Sequence, residues 1–548
     1  MTAQAAEGQR VFGWWRRARV GRAALPTAAL GLYCALCTAS LVAFPRGYDW
    51  THHLFRVQEL AWLWRHGMGW PAVSPFSAEG SLLPVYAVYA PLPYCVPAGL
   101  SLLGVRPIVA LYGTAAAAWG GGALLLQRML AARLGGPRSL VASLAVFGSA
   151  YWQGELLVRF AYAELLALSV LPGVLPCVWA LVLRFDRRRF VRALSGALLV
   201  LALHPLTFVN CALLGGVAVL ATSPRDPRRA LPRLGRLALL LTAAALAGAG
   251  VTWPLLTHLP ELRGQSDIAV AWGSLADWLN PTRWTSLGLL IPGLAVIARW
   301  QHQRVRLSRS HVHALLAVAL MAGFLASPLS AWWWEHAAWP RINTFPTRFL
   351  PYLTWPLLVL LCSKLDDDPK LLQLALALVG FQVALCAGPR LLVPLERAGT
   401  DTDLRGFFDW YASRRSGWGV DEFLPLAAAS APKLDAPQLP YSSREVDPER
   451  VTYHCPAPGC APGRYALPGY HRARAAVRID GVPATPSAIT STGATALELT
   501  STARTVSVTV SQTHAEHFGK WLSALSALTL VALLQATRRR RPRQRSRV

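Results

Sequence analysis

Long apolar runs alternate with short polar segments along most of this chain. A run of about 20 apolar residues can cross the hydrocarbon core of a bilayer as one helix. The pattern gives these candidate spans: 23–44, 84–104, 108–127, 139–153, 164–184, 190–204, 206–222, 237–256, 285–299, 312–330, 349–363, 371–393 and 519–535. It therefore predicts an all-α polytopic membrane domain.

Composition and charge agree with this prediction. Of 548 residues, 53% are hydrophobic and 15% are charged, whereas about 25% of the residues of a soluble protein are charged. The net charge of +26 comes mainly from arginines between the apolar runs, as the positive-inside rule describes for cytoplasmic loops. Because no nucleic-acid-binding motif accompanies these arginines, membrane lipids and not nucleic acid are their expected partners.

The topology follows from parity. Basic segments at 1–22 and 536–548 predict that both termini are cytoplasmic, which requires an even number of crossings. The segment 84–104 contains four prolines, which break helices. We expect it to form a juxtamembrane or re-entrant hairpin after the first span, leaving about 12 crossings. The expected location is the bacterial inner membrane.

The domain boundaries follow from the same pattern. Residues 23–393 form the predicted transmembrane domain, with an outer loop at 45–107. Residues 394–518 are polar and form a small extracytoplasmic α+β domain, β-rich from about 451, before a final span at 519–535. Asp480-Gly481 is typical of a two-residue hairpin turn. We expect a small β-sandwich or sheet packed over the membrane face.

Two of the nine cysteines, Cys455 and Cys460, lie in the polar stretch "HCPAPGC". A zinc site needs four ligands, and only His454 is nearby. The pattern favours a short disulfide in an oxidising compartment over two free thiols.

Ionisable side chains gather just past the first span, in "GYDWTHHLFR". Such groups are costly at a membrane and commonly functional there. Helical spacing lets Asp49, one of His52 and His53, and Arg56 share one face. A plain structural alternative is that Asp49 caps the following helix while both histidines are solvated. Metal binding by Asp49 is a third alternative.

Other ionisable candidates are scattered along the chain: Arg159, Glu164, His204 and Arg348. Arginine matches phosphate bidentately, which makes Arg56, Arg159 and Arg348 candidate phosphate ligands. The alternatives are an ion pair between Arg159 and Glu164, a helix end at His204, and an Arg348 that extends to the interface. Asp49 and Glu164, with Asp267 and Asp277, are candidate oxygen ligands for a divalent metal ion, although no spacing motif joins them.

The order of these outer motifs resembles the C-type (GT-C) membrane glycosyltransferases. In that superfamily an acidic residue after the first span precedes a helix, a "G-x-x-P" step and a proline-rich stretch; "GWPAVSPFSAEG" and "YAPLPYCVPAGLSLLG" follow Asp49 here. A closer resemblance is to the bacterial 6-pyruvoyl-tetrahydropterin-synthase-related membrane proteins. It rests on "NTFPTRFL", "DEFLP" and "LPGYHRARAAVRIDGVPA" and covers nearly the whole chain. Pterin chemistry is not implied, because no zinc-binding histidine cluster is present.

The resemblance implies transfer of a sugar from a polyprenyl-phosphate-linked donor to a cell-envelope acceptor on the outer face. Asp49 is then the candidate catalytic base. The remaining candidates would bind substrate: His52, His53, Arg56, Arg159, Glu164, His204 and Arg348. The sequence identifies no cofactor, and binding of a divalent metal ion is left as an alternative. The competing interpretations are a lipid or polysaccharide flippase or transporter, and a non-catalytic membrane protein of envelope assembly.

Overall fold

The computed structural model describes most of the membrane domain, the β-rich region and the last long helix. The described residues are 49–71, 73–76, 85–89, 91–222, 227–258, 287–300, 307–336, 346–365, 368–391, 436–467, 475–486, 488–489, 495–510 and 514–539. The predicted first span at 23–44 lies outside them, as do Asp267, Asp277 and the basic tail from 540.

The described part of the chain is mostly helical. Its α-helices are α1 (Trp50–Arg65), α2 (Val85–Val88), α3 (Leu92–Leu102), α4 (Pro107–Leu134), α5 (Gly136–Phe147), α6 (Ala150–Gly154), α7 (Tyr162–Leu183), α8 (Arg187–Leu203), α9 (Pro205–Ala221), α10 (Pro227–Ala247), α11 (Ala249–His258), α12 (Leu290–Trp300), α13 (Arg309–Ala326), α14 (Ala331–His336), α15 (Leu350–Cys362), α16 (Pro369–Leu391) and α17 (His514–Arg539). A π-helical turn, Glu155–Arg159, lies between α6 and α7.

Four helices of the described residues are long and apolar enough to cross a membrane: α4, α7, α10 from Arg228, and α13. The chain is therefore that of a membrane protein. Several other predicted spans form shorter helices; α15, with 13 residues, is about 20 Å long against a core of about 30 Å. The number of about 12 crossings stays a prediction.

The proline-rich segment 84–104 folds as the short helices α2 and α3 within its described residues. Helix α3 has 11 residues and is about 16 Å long, too short to cross a bilayer alone. It packs between α1 and α4. The structure thus places the described residues of this segment against the bundle, and the juxtamembrane or re-entrant hairpin stays a prediction.

Close helix packing forms the main core around α4, α5 and α7. A Cβ atom at Gly122 of α4 would lie 2.7 Å from the carbonyl oxygen of Ser169 in α7 and 2.8 Å from the ring of Phe147 in α5. Only glycine fits there. Small residues of this kind let helix backbones approach in membrane proteins.

Helix α17 covers the predicted last span at 519–535. It packs against α11, where the Gly250 N–H donates to the Ser523 hydroxyl at 2.7 Å. Its other side exposes apolar residues at helical spacing: Phe518, Trp521, Leu525 and Leu528. That stripe suits contact with lipid.

The β-rich region contains two antiparallel sheets. Its strands are β1 (Ser443–Asp447), β2 (Arg450–His454), β3 (Gly463–Ala466), β4 (Ala476–Ile479), β5 (Val482–Ala484), β6 (Ala488–Ile489), β7 (Thr495–Leu499) and β8 (Thr505–Thr509). The strand orders are β1-β2-β8-β4-β5 and β3-β7-β6. Val451 and Val506 of the first sheet share one core with Leu497 of the second, so the sheets form a small sandwich.

Local features of this sandwich match the prediction closely. Asp480 and Gly481 join β4 to β5 with φ values of +45° and +82°, as the hairpin turn requires. Cys455 and Cys460 form a disulfide. The first strand begins at Ser443, slightly before the predicted start of the β-rich part. Val73, in the loop after α1, is buried in the sandwich core and so connects the predicted outer loop to this region.

Candidate functional site

Asp49 stands immediately before α1, and its backbone N–H donates to the carbonyl oxygen of Arg159 at 2.9 Å. Its side chain makes no capping hydrogen bond to the helix. Instead its Oδ2 lies 3.7 Å from the Nε of Arg159. The capping alternative therefore does not describe this carboxylate, which points to another part of the fold.

His53 fixes the start of α1 against the turn that follows Arg159. Its Nε2 accepts the backbone N–H of Tyr162 at 3.2 Å, so its Nδ1 carries the proton and donates to the Tyr94 hydroxyl at 2.9 Å. This requires a neutral ring. Burial, with the nearby Arg56 and Arg159, holds the pKa of His53 well below its usual value. His53 is thus a positioning residue for Asp49.

His52 and Arg56, on the same helix as His53, are buried and do not lie at the surface. The guanidinium of Arg56 is fully buried, donates to the Tyr94 hydroxyl at 3.0 Å, and lies 3.9 Å from the ring centroid of Tyr89. It also contacts the Nε2 of His52. Both histidines are buried, so the alternative in which they are solvated at the interface is wrong.

A buried carboxyl group anchors the middle of α1. Glu59 accepts hydrogen bonds from the Ser74 hydroxyl at 2.6 Å, the Phe76 N–H at 3.2 Å and the Tyr86 hydroxyl at 3.0 Å. Burial raises the pKa of Glu59 to about 7, although these three donors oppose the shift. The contacts tie α1 to the loop that reaches the β-sandwich.

This anchor predicts a pH-dependent stability. The folded protein holds the Glu59 proton up to about pH 7, whereas the ordinary pKa is 4.5, so stability falls as pH rises between these values. We subtract the unfolding free energy of Glu59→Gln, which has no titrating group at this position, from that of the wild type. This difference should fall by about 2–3 kcal/mol from about pH 5 to about pH 8. Unfolding in mixed detergent micelles measures this difference. A difference that stays constant with pH would contradict the buried, protonated carboxyl.

Arg159 lies at the centre of an ionic cluster. Its Nη1 is 3.2 Å from Glu155 Oε1 and 3.2 Å from Glu164 Oε2, in addition to the Asp49 contact. The other oxygen of Glu164 accepts from the Tyr151 hydroxyl at 3.0 Å. One guanidinium thus joins three carboxyl groups from the start of α1, the π-helical turn and the start of α7.

The backbone around Arg159 is unusual. Residues Glu155–Arg159 form a π-helical turn, and Phe160 follows with a left-handed φ of +56°. π-Helical turns and residues with positive φ other than glycine are frequent at functional sites. Here they bring the side chains of Glu155 and Arg159 next to the side chain of Glu164.

Arg348 and His204 complete the neighbourhood. The Nε of Arg348, in the 3₁₀ turn Pro346–Phe349 before α15, lies 3.5 Å from Glu164 Oε2. His204 caps α9 by accepting the Thr207 N–H at 3.2 Å, as one of the sequence alternatives proposed. Four of the predicted residues therefore lie in one ionic cluster: Asp49, Arg159, Glu164 and Arg348.

Exposure differs sharply within the cluster. The side chain of Asp49 is 40% exposed, that of Arg159 is 12% exposed, and Glu155 is fully buried. Burial raises the pKa of Glu155, which keeps it protonated near neutrality. Asp49 and Glu164 then balance the two arginines. Asp49 is the carboxylate of this cluster that solvent reaches.

Sequence reasoning missed Glu155. It lies four residues before Arg159 in an otherwise apolar stretch, and that i, i+4 spacing of opposite charges was the available signal. Among the described residues no group of three or more His, Cys, Asp or Glu side chains has the arrangement of a metal site. The cation between the three carboxyl groups is the Arg159 guanidinium.

Comparisons with known proteins add little. No protein-family model matches the sequence, and no curated protein does either. Two cryo-EM structures of the arabinofuranosyltransferase AftD from mycobacteria are similar at 15% identity. One alignment covers 67% of this chain and 27% of AftD with a TM-score of 0.37. The other, with a mutant, covers 76% and 31% with a TM-score of 0.43.

This chain thus spans less than a third of the length of the AftD structures that it matches. Both scores are low, so the class assigned to the chain rests on its own helices. It is a membrane protein with a small β-sandwich and a charged cluster at one end of its helix bundle.

Proposed function

We propose that this chain is a membrane glycosyltransferase of the GT-C kind. It would transfer a sugar from a polyprenyl-phosphate-linked donor to a cell-envelope acceptor on the outer face of the bacterial inner membrane. The observation that carries the proposal is the Asp49 carboxylate, 40% exposed and 3.7 Å from Arg159 at the edge of a buried ionic cluster. It places a base beside a cation, which are the two groups that such a transfer needs.

Asp49 would act as the general base. Its carboxylate accepts the proton of an acceptor hydroxyl, the hydroxyl oxygen bonds to the anomeric carbon, and the bond from that carbon to the phosphate oxygen breaks. The electron pair leaves with the polyprenyl phosphate, and the anomeric configuration inverts. The surrounding protein raises the pKa of Asp49, opposed mainly by Arg159, which strengthens the carboxylate as a base.

Arg159 and Arg348 would stabilise the phosphate that leaves. Arginine suits this task because its guanidinium forms charge-assisted bonds to phosphate oxygens. The Arg159 contact with Asp49, at 3.7 Å, is looser than its 3.2 Å contacts with Glu155 and Glu164. A phosphate can therefore approach the Asp49 side of Arg159 while the two glutamates keep the guanidinium in place.

The remaining candidates would position these groups. His53 holds Asp49 in register with Arg159 through the bonds to Tyr162 and Tyr94. Arg56 contacts His52 and the Tyr94 hydroxyl, and these contacts hold α1 against α3. His204, at the start of α9, interacts electrostatically with Glu164 and Arg348. The proposal assigns no metal ion, because Arg159 occupies the place between the carboxyl groups.

Reconstitution tests this function against a flippase. The purified chain in proteoliposomes receives a panel of radiolabelled polyprenyl-phosphate-linked hexoses and pentoses, together with a cell-envelope extract as the source of the acceptor. We expect release of free polyprenyl phosphate with formation of a glycosylated product of inverted configuration. Movement of labelled lipid across the bilayer without either product would favour transport. Absence of both would favour a non-catalytic role in envelope assembly.

A further inference from the structure

A large cavity has its rim at the end of the helix bundle opposite to Asp49, and its lining extends along the bundle to Tyr352, four residues after Arg348. Its volume is about 1230 Å³, and α4, α7, α8, α9, α10, α13 and α15 form its walls. Helix α7 connects the two sites, with Glu164 in its first turn and Arg184 directly after its last residue. Because α7 has 22 residues, these ends are about 30 Å apart. That distance matches the thickness of a bilayer core.

The interior of the cavity is apolar. Leu171, Val174, Leu214 and Trp355 are among its lining residues. Leu171 precedes Arg184 by 13 residues of α7, so the apolar part extends about 20 Å from the end of the helix. The volume exceeds the roughly 300–1,000 Å³ of pockets that hold drug-sized ligands. A long hydrocarbon chain fits this shape.

The rim of the cavity is basic. Each of the four long apolar helices brings an arginine from its end to the lining: Arg133 of α4, Arg184 after α7, Arg233 of α10 and Arg309 of α13. No aspartate or glutamate is found among the lining residues that the structure describes. The positive-inside rule predicts that this arginine-rich end faces the cytoplasm.

We propose that this cavity binds an anionic membrane phospholipid. The phosphate headgroup would lie among the arginines of the rim, and the acyl chains would fill the apolar interior. Basic pockets between transmembrane helices on the cytoplasmic side suit such headgroups. A sugar carried on a lipid headgroup here would be about 30 Å from Asp49 and out of its reach. The headgroup site at the rim is therefore separate from the proposed transfer site.

Lipid retention by the purified protein tests the headgroup. The detergent-solubilised full chain is mixed with phosphatidylglycerol or phosphatidylcholine, and bound lipid is counted by native mass spectrometry. We expect retention of phosphatidylglycerol and not of phosphatidylcholine. Arg133→Gln with Arg233→Gln should weaken it about 25-fold, since each basic residue near a headgroup contributes about fivefold. The matched control replaces Arg128 and Arg188, which lie outside the lining.

A second variant tests the apolar interior without changing charge. Gly215 of α9 lines the cavity, and a Cβ atom there would make only an ordinary contact with Leu237, at 3.6 Å. Gly215→Phe should therefore fill the cavity and abolish retention of phosphatidylglycerol. Gly216→Phe is the control, because Gly216 is outside the lining and a Cβ atom there has no neighbour within 4 Å among the described residues.

Several results would overturn the proposal. Equal retention of the two lipids would remove the role of the rim, and retention by Gly215→Phe would remove the role of the interior. Displacement of the lipid by millimolar inorganic phosphate alone would show a site for phosphate and not for a lipid. Retention of polyprenyl phosphate in preference to phosphatidylglycerol would show an isoprenoid site instead.

Discussion

Asp49→Asn should lower the rate of sugar transfer by about 10²–10⁴-fold, the usual contribution of a general base. The amide keeps the shape of the side chain but cannot accept the acceptor's proton. Loss of the carboxylate should change the free energy of unfolding by less than about 1 kcal/mol. The distance to Arg159 is 3.7 Å, and the Asp49 side chain is 40% exposed. Initial rates of polyprenyl phosphate release in proteoliposomes measure the effect.

The asparagine variant also separates catalysis from helix capping. Asparagine caps a helix as well as aspartate does, so a capping role predicts an unchanged rate. Asp447→Asn is the matched control, because Asp447 is 41% exposed and also paired with an arginine, but lies in the β-sandwich. Turnover of Asp49→Asn at the wild-type rate would end the proposed role of this carboxylate.

Arg159→Met should destabilise the protein by about 3–5 kcal/mol, the usual cost of removing one partner of a buried ion pair. The substitution keeps an unbranched chain but leaves Glu155 and Glu164 without the guanidinium that both contact at 3.2 Å. Arg159→Lys should recover only part of this stability, because an ammonium group lacks the planar set of donors with which a guanidinium reaches several carboxyl groups. Unfolding in mixed micelles, followed by circular dichroism, measures both.

Arg450→Met provides the control for a simple ion pair. Arg450 contacts Asp447 at 2.8 Å, yet its side chain is 55% exposed, so its loss should cost at most about 1 kcal/mol. An Arg159→Met variant no less stable than Arg450→Met would show that the ionic cluster does not hold the ends of α1 and α7 together.

Much of the secondary structure could be predicted from local pattern. The apolar runs mark helices, and the alternating residues after 451 mark strands. The Asp480-Gly481 turn was specific because both residues need positive φ there. Helix lengths were harder. Predicted spans such as 139–153 and 349–363 became helices of 12 and 13 residues, because hydropathy does not show where tertiary packing ends a helix.

The candidate residues could be predicted because charge is rare in an apolar chain. Asp49, Arg159, Glu164 and Arg348 stand out for that reason. Their partners could not be predicted, since Asp49 and Arg159 are far apart in sequence and meet only through the π-helical turn and the left-handed Phe160. Glu155 lies four residues before Arg159, but it was missed because this spacing does not show that the carboxyl group is buried.

The sequence by itself determined that this is a membrane protein with a β-rich region after residue 451 and an uneven distribution of arginine, since each of these depends on composition and short-range periodicity. Only the tertiary structure decided that Asp49 faces Arg159 instead of capping its helix. It also decided that His52, His53 and Arg56 are buried, and that the arginine-bearing ends of four long helices surround one cavity. These contacts join residues distant in the chain, and their energies depend on burial, which no local pattern specifies.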